Sequence, residues 1–105
     1  MTRLPLVLAA LLVPLAAQAG DAALGKKKAT ACQTCHGMDG LSKMPEAPNI
    51  AGQVEPYLVK QLTDYRDGKR SNEIMNVVAK DLSDADIANL AAYYGGIQID
   101  VLPPG

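Results

Sequence analysis

The chain has 105 residues, 10 of them Lys or Arg and 11 Asp or Glu, for a formal charge of -1 at neutral pH. That near balance lacks the basic excess expected of a nucleic-acid binder, and no nucleic-acid partner is expected. With four Tyr and neither Trp nor Phe, the chain has few large flat side chains of its own from which to build a core.

The first segment differs from everything after it. Arg3 precedes an apolar run from Leu4 to Ala17, and Ala17-Gln18-Ala19 has the small-x-small pattern of a cleavage site. This reads as a secretory signal peptide over residues 1–19. Pro5 and Pro14 interrupt the run, and it falls short of the roughly 20 apolar residues that a spanning helix requires. The expected organisation is therefore a removable segment 1–19 and one domain over 20–105, located in a bacterial periplasm with no stable membrane span. A domain of this size usually requires a staple.

Asp21 can cap a helix over about 22–31, on which Gly25, Ala29 and Cys32 share one face at spacings of four and three. Small residues there would let another helix cross closely. Lys26, Lys27 and Lys28 read as the solvated side of that helix, with a docking patch for an acidic partner as the competing reading.

Next comes Cys32-Gln33-Thr34-Cys35-His36. C-x-x-C-H is the attachment pattern for a c-type haem, and each part has a mechanical role. Two thiols projecting from one turn can add across two vinyl groups on one edge of a porphyrin. The imidazole that follows is carried over the iron, where a ring nitrogen can bind as the proximal ligand. A thioredoxin-like C-x-x-C would follow a strand in a βαβ unit, and no such strand precedes it. A structural zinc site needs four ligands, but one His and two Cys are the whole supply. Haem would thus be the staple, and would use both thiols.

Gly37-Met38-Asp39-Gly40 is turn chemistry, and Pro45, Pro48 and Gly52 exclude a continuous helix up to Gln53. A loop of that length is expected to wrap the proximal side of the haem. Pro56 suits the first turn of a helix over 56–67 closed by Gly68, with Leu58, Leu62 and Tyr65 as its apolar stripe. A polar connection then leads to a short helix over 74–79. Ser83 followed by Asp86 resembles a capping box opening a helix over 84–94, whose Ile87, Leu90, Ala91 and Tyr94 share a face and which ends at Gly95-Gly96. The tail Ile97-Gln98-Ile99-Asp100-Val101-Leu102 alternates like a strand without an obvious partner, and is expected to lie extended on the body or against another protein.

A haem held by histidine alone is open to small molecules, whereas a thioether opposite closes it and favours electron transfer. Four Met are present. Met1 leaves with the signal, Met38 is too close to His36 to pass around the porphyrin, and Met44 would need a fully extended path that Pro45 and Pro48 oppose. Met75 has ample chain, and its polar neighbours Ser71, Asn72 and Glu73 suit a ligand loop; core filling is its competing role.

Together these residues resemble class I c-type cytochromes, especially the small bacterial kind found singly, as tandem dihaem proteins, or as haem subunits of periplasmic sulfur-oxidising dehydrogenases. The resemblance rests on Cys32 to Gly37, Pro48-Asn49-Ile50-Ala51-Gly52-Gln53, Tyr57-Leu58 with Gln61-Leu62, Arg66 with Gly68 and Arg70, Asn72 with Met75, and Leu82-Ser83-Asp84 through to Tyr94. It implies an all-α cytochrome c fold of about four short helices around one covalently attached haem c. It implies that His36 and Met75 are the axial ligands, that the Pro48 carbonyl accepts from the far nitrogen of His36, and that Gly25 meets the last helix near Tyr93 or Tyr94. Arg70, Asn72 and Tyr57 become candidates for the propionates.

The expected function is one-electron transfer without bond chemistry, with partner proteins as donor dehydrogenase and acceptor oxidase or reductase. Two other readings stand beside it. The chain would be the dedicated cytochrome subunit of a heteromeric dehydrogenase, or a haem enzyme or gas binder with an open sixth site.

Overall fold

The structure, a computed structural model, describes residues 2–7 and 19–105. The greater part of the expected signal peptide lies outside the described residues. From Ala22 onward there are five helices: α1 (Ala22–Lys28), α2 (Gln33–His36), α3 (Glu55–Asp67), α4 (Glu73–Ala79) and α5 (Asp84–Gly95), with a 3-10 turn at Ala29–Ala31 between the first two. No strand occurs among the described residues, so the all-α expectation is met.

Helices α1, α4 and α5 begin where a side chain accepts from the free backbone N–H groups. Asp21 Oδ1 accepts from Ala23 N and Leu24 N at α1. At α5 the capping box is complete: Ser83 Oγ accepts from Asp86 N, and Asp86 Oδ2 accepts from Ser83 N, both at 3.0 Å. Ser83 N–H donating to the Asp86 carboxylate, with Lys28 3.5 Å away, holds that carboxyl below its usual range. Helix α3 carries Pro56 in its first turn and closes on Gly68, whose φ of 78° is the left-handed cap.

Two helix contacts frame the domain. Helix α1 crosses α5 closely because Gly25 has no side chain: a Cβ there would overlap the Asn89 carbonyl and come within 2.8 Å of Tyr93 Cβ. The crossing lies at Asn89 and Tyr93, where the family resemblance places it. Helix α3 also packs on α5 and carries α4. Arg66 ties α3 to the start of α5, donating from Nη1 to the Leu82 carbonyl at 3.2 Å and to Asp84 Oδ1 at 2.7 Å.

The core is thin. Among the described residues Ala29, Leu58, Ala79, Leu82, Ile87, Leu90, Ala91 and Tyr94 are buried, and Ile87 and Leu90 are the largest side chains that are fully enclosed. Much of what would be core in another small domain is a cavity.

Two helix limits and one added element differ from the sequence reading, while the tail lies extended as expected. The helix expected over 22–31 tightens into a 3-10 turn after Lys28, and the haem motif itself forms the one-turn α2, an element the pattern did not announce. Gly95 is the last residue of α5; a Cβ on it would lie 2.9 Å from the Gln53 carbonyl, so it serves close approach. The tail has no strand partner and crosses Gly52, with Ile99 against it.

Candidate functional site

The cavity has a volume of about 460 Å³ and is lined by Cys32, Cys35, His36, Pro48 and Met75 together, with further walls from Leu58, Leu62, Leu90 and Tyr94. Residues from the haem motif and from α4, far apart in the chain, thus meet at one space. Tyr57 and Ile74, each about half exposed, contribute to its rim.

His36 ends α2 and is buried. Its Nδ1 lies 2.8 Å from the Pro48 carbonyl oxygen, so Nδ1–H donates to that carbonyl and Nε2 remains for a ligand. Main-chain bonds shape the loop that brings Pro48 back: Lys43 N donates to Cys35 O at 2.8 Å, and Ile50 N and Ala51 N donate to Gly40 O at 2.8 and 3.0 Å. Ser42 N donates to Asn49 Oδ1 at 2.7 Å. The prolines that deny this stretch a helix thus define the route by which a backbone carbonyl reaches the imidazole.

Met75 lies in the first turn of α4, within the short helix expected over 74–79 and directly after the polar connection. That connection supplies the cap: Asn72 Oδ1 accepts from Ile74 N at 3.1 Å and from Met75 N at 2.9 Å. Asn76, which the sequence reading passed over, fastens the turn to the end of α3. Its Nδ2 donates to the carbonyls of Tyr65 and Arg70 at 2.9 and 2.8 Å, and its Oδ1 accepts from Asn72 N at 2.6 Å. An Asn immediately after a candidate ligand, facing the polar end of the preceding helix, was the available signal. Met44 also lines the cavity, on the His36 loop, while Met38 is half-buried against the core.

The candidates for propionate binding, Tyr57, Arg70 and Asn72, also line the cavity. Arg70 is already engaged, donating to Gln61 Oε1 at 2.6 Å and lying 4.7 Å from the centre of the Tyr65 ring. The exposed lysines of α1 take no part in the cavity: Lys26 and Lys27 are solvated and Lys28 pairs with Asp86.

Burial pushes the Cys32 thiol above its ordinary range, with the charge of Cys35 adding to this and Lys28 opposing it. Burial likewise raises the Tyr94 hydroxyl, and a negative Cys32 contributes to that shift. A thioether at Cys32 would remove the second contribution and leave burial in place.

The donor set fits a haem. Both thiols are free, one imidazole has its second nitrogen already satisfied, a thioether lines the same space, and the remaining walls are largely apolar. Among the described residues no group of three or more His, Cys, Asp or Glu could hold a bare metal ion.

The family profile described as Cytochrome c matches residues 22–95, and the chain belongs to the cytochrome c family. It is 48% identical over 90 residues to cytochrome c4 of Pseudomonas aeruginosa, covering 86% of this chain and 45% of that protein. It is 47% identical over 79 residues to cytochrome c-554(548) of Halomonas halodenitrificans, covering 72% of this chain and 95% of that one. A thiosulfate dehydrogenase electron acceptor of Stutzerimonas stutzeri is 42% identical over 94 residues, 80% of this chain and 42% of that protein. Among solved structures, reduced recombinant cytochrome c4 from Pseudomonas stutzeri superposes with a TM-score of 0.71 at 39% identity, over 76% of this chain and 47% of that one. The chain spans less than half the length of the cytochrome c4 proteins it matches. As a member of this family it carries one covalently attached haem c.

Proposed function

We propose that this chain is a one-electron carrier in which Cys32 and Cys35 hold the haem covalently and His36 and Met75 ligate its iron from the two faces. When bound, the haem supplies a ferrous–ferric couple that gains and loses one electron without bond chemistry on the protein. His36 is oriented by Pro48 through the 2.8 Å bond, which fixes the ring plane and strengthens the imidazole as a donor. Met75 is held by the α4 cap, and its thioether, as an iron ligand, would close the haem against water and small ligands. Leu58, Leu62 and Leu90 supply apolar walls that keep water from the iron. The half-exposed rim at Tyr57 and Ile74 is where a partner protein would approach.

The observation that carries this reading is the meeting of two thiols, an imidazole and a distant thioether on a single cavity. The place of work is outside the cytoplasmic membrane, after removal of residues 1–19. Among the described residues no helix is long and apolar enough to cross a membrane. Protein secreted from a host that attaches c-type haem should give a pyridine haemochrome of one haem per chain. A reversible titration should fit one electron, and a titration that fits only with slow ligand exchange or irreversible steps would count against a carrier.

A second reading makes the chain the cytochrome subunit of a dehydrogenase, supported by its likeness to the thiosulfate dehydrogenase electron acceptor. Purification from the native source at a fixed ratio to a larger redox protein would favour the subunit; recovery as a free protein would favour the carrier.

A further inference from the structure

Two adjacent tyrosines at the end of α5 donate to two adjacent carbonyls directly after the haem motif. Tyr94 Oη donates to Gly37 O at 2.9 Å, and Tyr93 Oη donates to Met38 O at 2.5 Å. The main-chain carbonyl of Tyr94 meanwhile accepts from Gly52 N at 2.9 Å. One residue of α5 therefore grips both ends of the loop 37–52. Inside those ends the bonds of Ile50 N and Ala51 N to Gly40 O close a narrower neck, and between its two sides Pro48 offers its carbonyl to His36.

Tyr94 is 3% exposed and its ring lines the cavity, edge-on to Tyr93 with centroids 5.1 Å apart. A ring in that place would fill space equally well without a hydroxyl. With it, the peptide after His36 and the far end of the loop share one anchor, so the two sides of the His36–Pro48 bond cannot drift apart independently.

We propose that Tyr94, assisted by Tyr93, is a positioning residue for His36: its side-chain and main-chain bonds set the separation of the imidazole from the Pro48 carbonyl and thereby the donor strength of His36 toward iron. The inference rests on His36 being the iron ligand proposed above. A shorter Nδ1–H···O bond makes the imidazole a stronger donor and favours ferric iron. Loosening the anchor lengthens that bond and favours ferrous iron, which raises the midpoint potential.

The holoprotein and three variants, Tyr94→Phe, Tyr93→Phe and Ser83→Ala, provide the test. Removing the buried hydroxyl leaves the Gly37 carbonyl without its donor, so in Tyr94→Phe the His36 Nδ1 proton should exchange with solvent roughly tenfold faster. The midpoint potential should move upward with it, and Tyr93→Phe should shift both in the same direction by less. Ser83→Ala weakens the opposite end of α5 and should lower the melting temperature while leaving both His36 readouts at their wild-type values. If Tyr94→Phe behaves as Ser83→Ala does, less stable but with unchanged proton exchange and potential, the hydroxyl serves stability alone and the proposal is overturned. Should Tyr94→Phe fail to accumulate, Tyr93→Phe decides by the same readouts. A wild-type spectrum with no iron-bound imidazole resonance would instead overturn the ligand reading itself, before any variant is considered.

Discussion

One stretch of the cavity wall places His36 at the end of a one-turn helix, against a loop held mostly by main-chain bonds to Cys35, Gly40 and Tyr94. Another places Met75 in the first turn of α4, held by the side chains of two asparagines. The first arrangement rests mainly on backbone bonds, and the side chains that reinforce it from α5 are the Tyr93 and Tyr94 hydroxyls. The second depends on Asn72 and Asn76, and one substitution can reach it. The placement of His36, the proposed ligand on one side, is thus built largely into the chain's path, whereas that of Met75, the proposed ligand on the other, is a local and adjustable feature.

The comparison can be broken most severely at the haem motif. Replacing Cys32 and Cys35 together by Ser should abolish covalent retention of haem, seen as loss of haem stain on a denaturing gel, and should leave a poorly folded chain because the remaining core is small. Retention of the stain would remove the two thiols from the account.

Asn76→Ala tests the fragile side. It strips donors from the Tyr65 and Arg70 carbonyls and an acceptor from Asn72 N, and should cost about 2–3 kcal/mol in chemical denaturation. The proposed Met75 bond should weaken first, so the weak long-wavelength band of iron–thioether coordination should fade at lower denaturant than the loss of helix. Simultaneous loss of both would mean that α4 has no independent mobility.

Gly25→Ala acts on the frame shared by both sides. The added Cβ meets the backbone at Asn89, which cannot yield as a flexible side chain would, and a loss of about 1–3 kcal/mol is expected in denaturation. Because the α1–α5 crossing carries Tyr93 on the His36 side and lies away from Asn72 and Asn76, the long-wavelength band and the helical signal should be lost together.

The smallest effect is expected at the α5 cap. Ser83→Ala should cost about 1 kcal/mol in the same assay. The Asp86 carboxyl is held low in the folded protein, so its contribution is present above the ordinary carboxylate value and is lost as pH falls through the folded value. The wild type should therefore lose part of its advantage over Ser83→Ala on acidification. Tyr94 behaves oppositely: burial raises its hydroxyl, so its contribution is full below the ordinary tyrosine range and lost as pH climbs through the raised value.

The all-α architecture and most helix limits were legible because local signals carried them: Asp21, Pro56, Gly68 and the Ser83–Asp86 pair each mark a boundary that the structure keeps. The haem motif was legible because its spacing is tied to covalent chemistry. What escaped was set by tertiary contact. The polar connection before Met75 and the short helix after it were legible, but the capping role of Asn72 was not, since Ser, Asn and Glu favour both loops and helix starts. Asn76 and the two tyrosine hydroxyls bond to carbonyls distant in sequence, which no periodicity reveals. Their chemistry left a hint, because a buried tyrosine hydroxyl must find a partner.

Carbon monoxide binding to the ferrous holoprotein and to its Met75→Leu variant tests the central claim most directly. Leu keeps the volume of the side chain and removes the thioether. The wild type should bind carbon monoxide negligibly, and Met75→Leu should bind it readily with loss of the long-wavelength band. Rapid binding by the wild type, or a variant that stays closed with its band intact, would contradict a haem iron held between His36 and Met75.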